Sequence, residues 1–122
     1  MRILGLVFAG TSTDARSRMS EFMQTAFGLH AVSVDGVEAD MFDLPDGASF
    51  AVADAGGMGT ERSIGFLVEG LEEAVGLLQA IGLEVDAEIS VNERWRYTHF
   101  RAPDGHLYEL VEPLAAPPTG QT

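Results

Sequence analysis

The sequence predicts an α+β fold built from two tandem β-α-β-β-β modules. Three observations carry that prediction. Met41-Phe-Asp-Leu-Pro-Asp-Gly-Ala-Ser-Phe-Ala-Val and His99-Phe-Arg-Ala-Pro-Asp-Gly-His-Leu-Tyr-Glu-Leu are near-copies, each reading as strand, Pro-Asp-Gly turn and strand. A shorter echo, Ala26-Phe-Gly-Leu and Ala80-Ile-Gly-Leu, precedes each hairpin where a helix should stop. With 122 residues in all, neither copy can bury a core alone, so the copies share one or pack on a second chain.

The first module opens with a buried strand near residues 3–10, Ile-Leu-Gly-Leu-Val-Phe-Ala-Gly. Ser12, Thr13 and Asp14 supply helix-start oxygens. Ala15, Met19, Phe22, Met23 and Ala26 then fall on one helical face, and Gly28 offers a left-handed stop. Strands follow near 31–35, 38–44 and 48–54, which sets module 1 at about 1–54. The Gly-rich stretch at about 55–61 is expected as the linker.

Module 2, about 62–113, repeats the order. Ser63 to Val68 reads as a strand, and Leu71, Ala74, Val75, Leu78 and Ile81 form a helix stripe ending at Gly82. Glu72 and Glu73 fall in the first turn, where the helix dipole favours them. Strands near 84–91, 95–101 and 106–112 complete the module, and 114–122 is expected as a loose tail. The whole of 1–122 is expected to form a single domain.

Pro-Asp-Gly suits a type I turn closed by a glycine bulge, a three-residue hairpin loop. That register sets His99 opposite Glu109, and Met41 opposite Ala51. Strand alternation then assigns Phe42, Phe50, Val52, Ile64, Phe66, Phe100, Tyr108 and Leu110 to a helix-covered core. The other face carries Met41, Asp43, Ser49, Ala51, Ser63, Gly65, Tyr97, His99, Arg101, Leu107 and Glu109. Such a mixed face is what a ligand cleft needs.

Composition narrows the partners. Nineteen acidic residues stand against seven arginines and no lysine, a net charge of −12. A nucleic-acid partner is excluded, because no basic surface would release phosphate counterions. The acidity favours a cationic ligand or serves solubility alone. The absence of cysteine removes disulfides and thiolate metal sites and fits a cytoplasmic protein. No apolar run reaches the length of a membrane span, and no basic-then-apolar leader pattern is seen, so no membrane partner is expected.

Doubled β-α-β-β-β copies ending in Phe-Arg-Ala-Pro-Asp-Gly-His-Leu-Tyr-Glu-Leu resemble the vicinal oxygen chelate superfamily over residues 1 to about 113. That superfamily includes glyoxalase I, extradiol dioxygenases, fosfomycin-resistance enzymes and bleomycin-binding proteins. The resemblance implies paired modules curving into a partly open mixed β-barrel around a cleft, helices outside, and a homodimer. Metal-dependent members hold a divalent ion with a His or Gln on each module's first strand and a carboxylate on each last strand. Here those positions fall on Val7 (give or take one residue, because the first helix reads one residue longer), Ala51, Ser63 and Glu109. One carboxylate in four cannot hold such an ion tightly, which implies a member with no metal and no cofactor.

The resemblance also places an acid/base tyrosine of the dioxygenase type where this chain has His99. A carboxylate beside an imidazole raises its pKa and fixes its tautomer, so His99 and Glu109 are the candidate catalytic pair. The alternative is a cross-strand polar pair stabilising by under about 1 kcal/mol. Trp95 and Tyr97 share the parity of His99 and are candidates to stack a planar ligand, or else are dimer contacts. Arg101, Ser63 and Met41 complete the candidate ligand-binding set, though Arg101, beside a turn, also suits plain solvation. His30 and His106 read as surface residues. Three functions remain open, in order of preference: a protein binding an aromatic or cationic small molecule, a metal-free lyase or isomerase using His99 and Glu109, and a metal-dependent glyoxalase or dioxygenase, which needs ligands this sequence lacks.

Overall fold

The computed structural model describes residues 1–57 and 61–114; the last linker positions and the tail at 115–122 lie outside the described residues. Its elements run β1 (Arg2–Thr13), α1 (Arg16–Thr25), β2 (Ala31–Val32), β3 (Asp40–Asp43), β4 (Ser49–Asp54), β5 (Arg62–Glu69), α2 (Leu71–Ala80), β6 (Ser90–Val91), β7 (Trp95–Arg101) and β8 (Leu107–Pro113). All eight strands join one sheet in the order β2-β3-β4-β1-β5-β8-β7-β6. Within each module the first strand lies parallel to the last, β1 to β4 and β5 to β8. The modules meet within one chain through the antiparallel pair β1–β5.

The twin hairpins have the same construction. Gly47 N–H donates to the Leu44 carbonyl at 3.0 Å and Leu44 N–H to Ala48 at 2.8 Å, and Gly105, Ala102 and His106 repeat this at 2.8 and 2.9 Å. Gly47 and Gly105 take φ of 90° and 86°, the left-handed conformation the bulge requires. Asp46 and Asp104 each accept from the backbone N–H two residues on, at 2.9 and 3.0 Å, which explains the aspartate between proline and glycine. The resulting register sets Met41 against Ala51 and His99 against Glu109, as the turn chemistry predicts.

Each helix covers its own core. Met23 of α1 packs on Phe42 and Val52; Leu71 and Ala74 of α2 pack on Val68 and Leu110. Both helices are ten residues long, so the extra residue of module 1 lies after α1, not in it. None of Ser12, Thr13 and Asp14 caps α1, whose N-cap is Ala15 with no side-chain cap; Thr13 instead accepts from Ala15 N–H at 3.0 Å in the turn ahead of the helix, and Ser12 is drawn into the sheet by donating to the Asp54 carbonyl. The predicted stripe on α1 is rotated. Ser20 turns inward because its hydroxyl donates to Asp40 at 2.6 Å, and Phe22 is left 45% exposed, edge-on to Phe27. Ile81 is exposed because it lies past the last turn of α2. Ile64 is 39% exposed, since neither helix covers it.

The expected strand over 84–91 shrinks to Ser90–Val91 and a single bridge between Val85 and Phe100. At the other end of the sheet, 31–35 shrinks to Ala31–Val32. Curvature brings these two ends together. Asp35 N–H donates to Glu93 at 2.9 Å, Gly36 packs on Asn92, and Arg94 pairs with Asp43 at 2.8 Å. The sheet is therefore a curled, partly closed barrel with both helices outside.

Candidate functional site

Inside the curl lies a cleft of about 300 Å³. Module 1 lines it with apolar side chains: Met41 and Ala51, which form a buried cluster with Val34, and Phe8 packed against them. Strand alternation places Phe8, not Val7, in the cleft; Val7 is buried on the other face. Module 2 lines it with Ser63, Trp95, Tyr97, His99 and Glu109. The loops that meet across the mouth add Glu38 and Asn92.

His99 is held between two carboxylates. Its Nε2 lies 3.0 Å from Glu109 across the hairpin, and its Nδ1 lies 2.8 Å from Asp86. The backbone secures the second contact: His99 N–H donates to the same Asp86 oxygen at 3.0 Å, and Asp86 N–H donates to the His99 carbonyl at 3.0 Å. The hydrogen bond to Glu109 raises the imidazole pKa to about 9, with Asp86 adding to it and burial opposing it. At neutral pH the ring is an imidazolium donating one N–H to each carboxylate. Tyr97 stands edge-on to it, ring centroids 5.6 Å apart, and burial followed by the charge of Glu109 pushes the phenol upward.

Glu109 owes its place to a glycine. A Cβ on Gly65 would come within 2.9 Å of Phe8 Cβ and 3.1 Å of Val111 Cγ2, and 3.4 Å from Glu109 Oε1. The bare backbone lets β1, β5 and β8 approach and leaves room beside the carboxylate. Next to it, the hydroxyl of Ser63 is buried with no hydrogen-bond partner among the described residues. Buried hydroxyls are normally satisfied, so this one is available to a ligand or a water.

Of the residues predicted from sequence, His99, Glu109, Trp95, Tyr97, Ser63 and Met41 line one cleft. Arg101 does not: its guanidinium donates to the Gly105 carbonyl at 2.6 Å, capping its own hairpin loop. His30 and His106 are exposed. Asp86 and Glu38 were missed. Asp86 lies before β7, where no turn motif fixes a register, so nothing in the sequence linked it to His99. Among the described residues, no group of three or more His, Cys, Asp or Glu has the geometry of a metal site.

No family model matches the chain, and no curated protein matches its sequence. Solved structures match over nearly its whole length. Methylmalonyl-CoA epimerase from Mycobacterium tuberculosis superposes with a TM-score of 0.72 at 17% identity, covering 94% of this chain and 90% of that one. A variant of the Streptomyces coelicolor methylmalonyl-CoA epimerase, in complex with 2-nitronate-propionyl-CoA, gives 0.69 at 18% identity over 93% and 100%. A glyoxalase/bleomycin resistance protein/dioxygenase superfamily member from Vibrio splendidus gives 0.64 at 15% identity over 89% and 97%. With two β-α-β-β-β modules paired edge to edge around a concave cleft, the chain has the vicinal oxygen chelate fold.

Proposed function

We propose that the chain binds a compact small molecule in the concave cleft, a cationic or hydrogen-bond-donating group resting against Glu109 and a flat apolar body beside Trp95 and Tyr97. The charge of the cleft wall carries this reading. Glu38 and Glu109 line it, no arginine does among the described residues, and the one imidazolium is already shared by two carboxylates. An anion would meet uncompensated negative charge in a partly desolvated site, whereas a cation is drawn by the carboxylate and by aromatic faces. A CoA ligand such as the Streptomyces epimerase holds is anionic and would find no counter-charge in this wall.

The donor set does not fit a divalent metal. The positions used by metal-dependent members carry Phe8, Ala51, Ser63 and Glu109, a single carboxylate and a single hydroxyl where several strong donors are required. Elemental analysis of purified protein tests this: a stoichiometric divalent ion whose removal lowers Tm contradicts it.

The hydrogen-bonded chain Asp86–His99–Glu109 favours a second reading, metal-free proton transfer of the lyase or isomerase type. In it Glu109 takes a proton from the ligand and returns it at another position, and the His99 imidazolium, steadied by Asp86, stabilises the Glu109 carboxylate before the first transfer and after the second.

A matched pair of probes tests the binding reading. Tryptamine and indole-3-acetate share a flat body and carry opposite charge. Tryptamine is expected to raise Tm while indole-3-acetate does not, and Glu109→Gln is expected to abolish the shift. Equal stabilisation by both, or a tryptamine shift that survives in Glu109→Gln, would refute it.

A further inference from the structure

Seven arginines serve a chain with nineteen acidic residues. Arg2, Arg16, Arg94 and Arg96 each pair with a carboxylate, and Arg101 caps its own loop. Arg18 and Arg62 make no ion pair or side-chain hydrogen bond among the described residues. These two arginines line the same crevice, of about 640 Å³, on the helix side of the sheet between α1 and β5. Arg18 comes from module 1 and Arg62 from module 2.

The large side chains of the remaining wall are apolar, Met19 and Phe22 from α1, Phe50 from β4 and Ile64 from β5, with Thr11, Thr13 and Ser63 adding small uncharged polar groups. Phe22 and Ile64 are two of the residues that the sequence assigned to the core and the fold leaves exposed, as it does Ile3, Leu4, Leu6 and Ile81 elsewhere. No lining residue is acidic, although the chain carries a net charge of −12, and the first turn of α1 lacks the acidic residue that helix starts favour. Both departures have one sense. Free guanidinium groups recognise oxyanions by paired hydrogen bonds, and uncovered aromatic and branched side chains ask for an apolar body.

We infer that this crevice binds an amphipathic monoanion, a carboxylate carried on an unbranched apolar chain, with Arg18 and Arg62 on the carboxylate and Phe22, Phe50 and Ile64 along the chain. It lies on the opposite face from the cleft, with reversed charge preference, and does not depend on the ligand proposed there.

Titration of the full chain with decanoate, below its micelle concentration, tests the assignment. Saturable binding is expected, weakening about threefold to fourfold for each methylene removed toward hexanoate. Neutral decanol should bind at least tenfold less tightly. Arg18→Gln and Arg62→Gln should each weaken decanoate about tenfold with Tm unchanged, as loss of a charge-assisted hydrogen bond demands. Glu109→Gln, which alters only the cleft, should leave decanoate binding intact. Equal binding of decanoate and decanol, indifference to both arginine substitutions, or loss of binding in Glu109→Gln would each overturn the inference. So would light scattering that finds a dimer which Ile64→Asp converts to monomer, because the crevice would then be an interface between two copies.

Discussion

Asp86 grips His99 through one oxygen, which accepts both the ring Nδ1–H at 2.8 Å and the backbone N–H of the same residue at 3.0 Å. Side chain and main chain are thereby locked together. The ring has one orientation, with Nε2 aimed at Glu109.

Removing either carboxylate should lower the His99 pKa from about 9, by unequal amounts. The hydrogen bond to Glu109 is the largest contribution, so Glu109→Gln should cause the greater fall and Asp86→Asn the smaller. Titration of the ring protons by NMR checks the order. A larger effect from Asp86→Asn would mean that the cross-hairpin contact is not the dominant one.

The same shift makes stability depend on pH. The folded ring binds its proton more tightly than the ordinary value of 6.5, so its contribution is complete below about pH 6.5 and disappears as pH rises through about 9. The Tm advantage of wild type over His99→Gln should therefore be greatest at pH 6 and shrink steadily toward pH 9.5. A difference independent of pH across that range would contradict the ion-pair description.

Gly65→Ala should destabilise by about 1–3 kcal/mol, because the added carbon meets the Cβ of Phe8 at 2.9 Å at the seam between modules. Denaturant unfolding measures it. Gly76, on α2, offers a control: a Cβ there meets nothing within 4 Å, so Gly76→Ala should be neutral or stabilising.

Neighbouring residues on α1 should differ sharply. Met23 is 4% exposed and packs on Phe42 and Val52, so Met23→Ala should cost about 2–5 kcal/mol. Phe22, half out in solvent, should cost well under that when replaced by Ala. Comparable losses at both would mean that Phe22 is covered in solution.

Legibility from sequence followed the reach of local chemistry. The Pro-Asp-Gly loops fix their own register, so His99–Glu109 and Met41–Ala51 could be paired from residue order alone. Side-chain parity then carried the cleft assignment outward to Ser63, Trp95 and Tyr97. Where no turn sets the register, the reading stopped: Asp86 reaches His99 through a single bridge beside it, at Val85. The α1 stripe differs at Phe22 because helical period cannot anticipate that Ser20 gains a half-buried carboxylate partner in Asp40. Arg101, for which the sequence left ligand contact and plain solvation both open, donates to the carbonyl of its own loop.

The strands at the two ends of the sheet, β2 and β6, are only two residues long. Open sheets usually offer their outer strands as templates on which another chain can add a strand, which is how many β-proteins begin to aggregate. Here the outermost ladders are too short for that, and the loops beside them grip each other through Arg94–Asp43 and Asp35–Glu93. The sheet can keep a concave face open while the described residues present no long unpaired edge to neighbouring chains. Lengthening β2 or β6 by design would put that protection at risk before it altered the cleft.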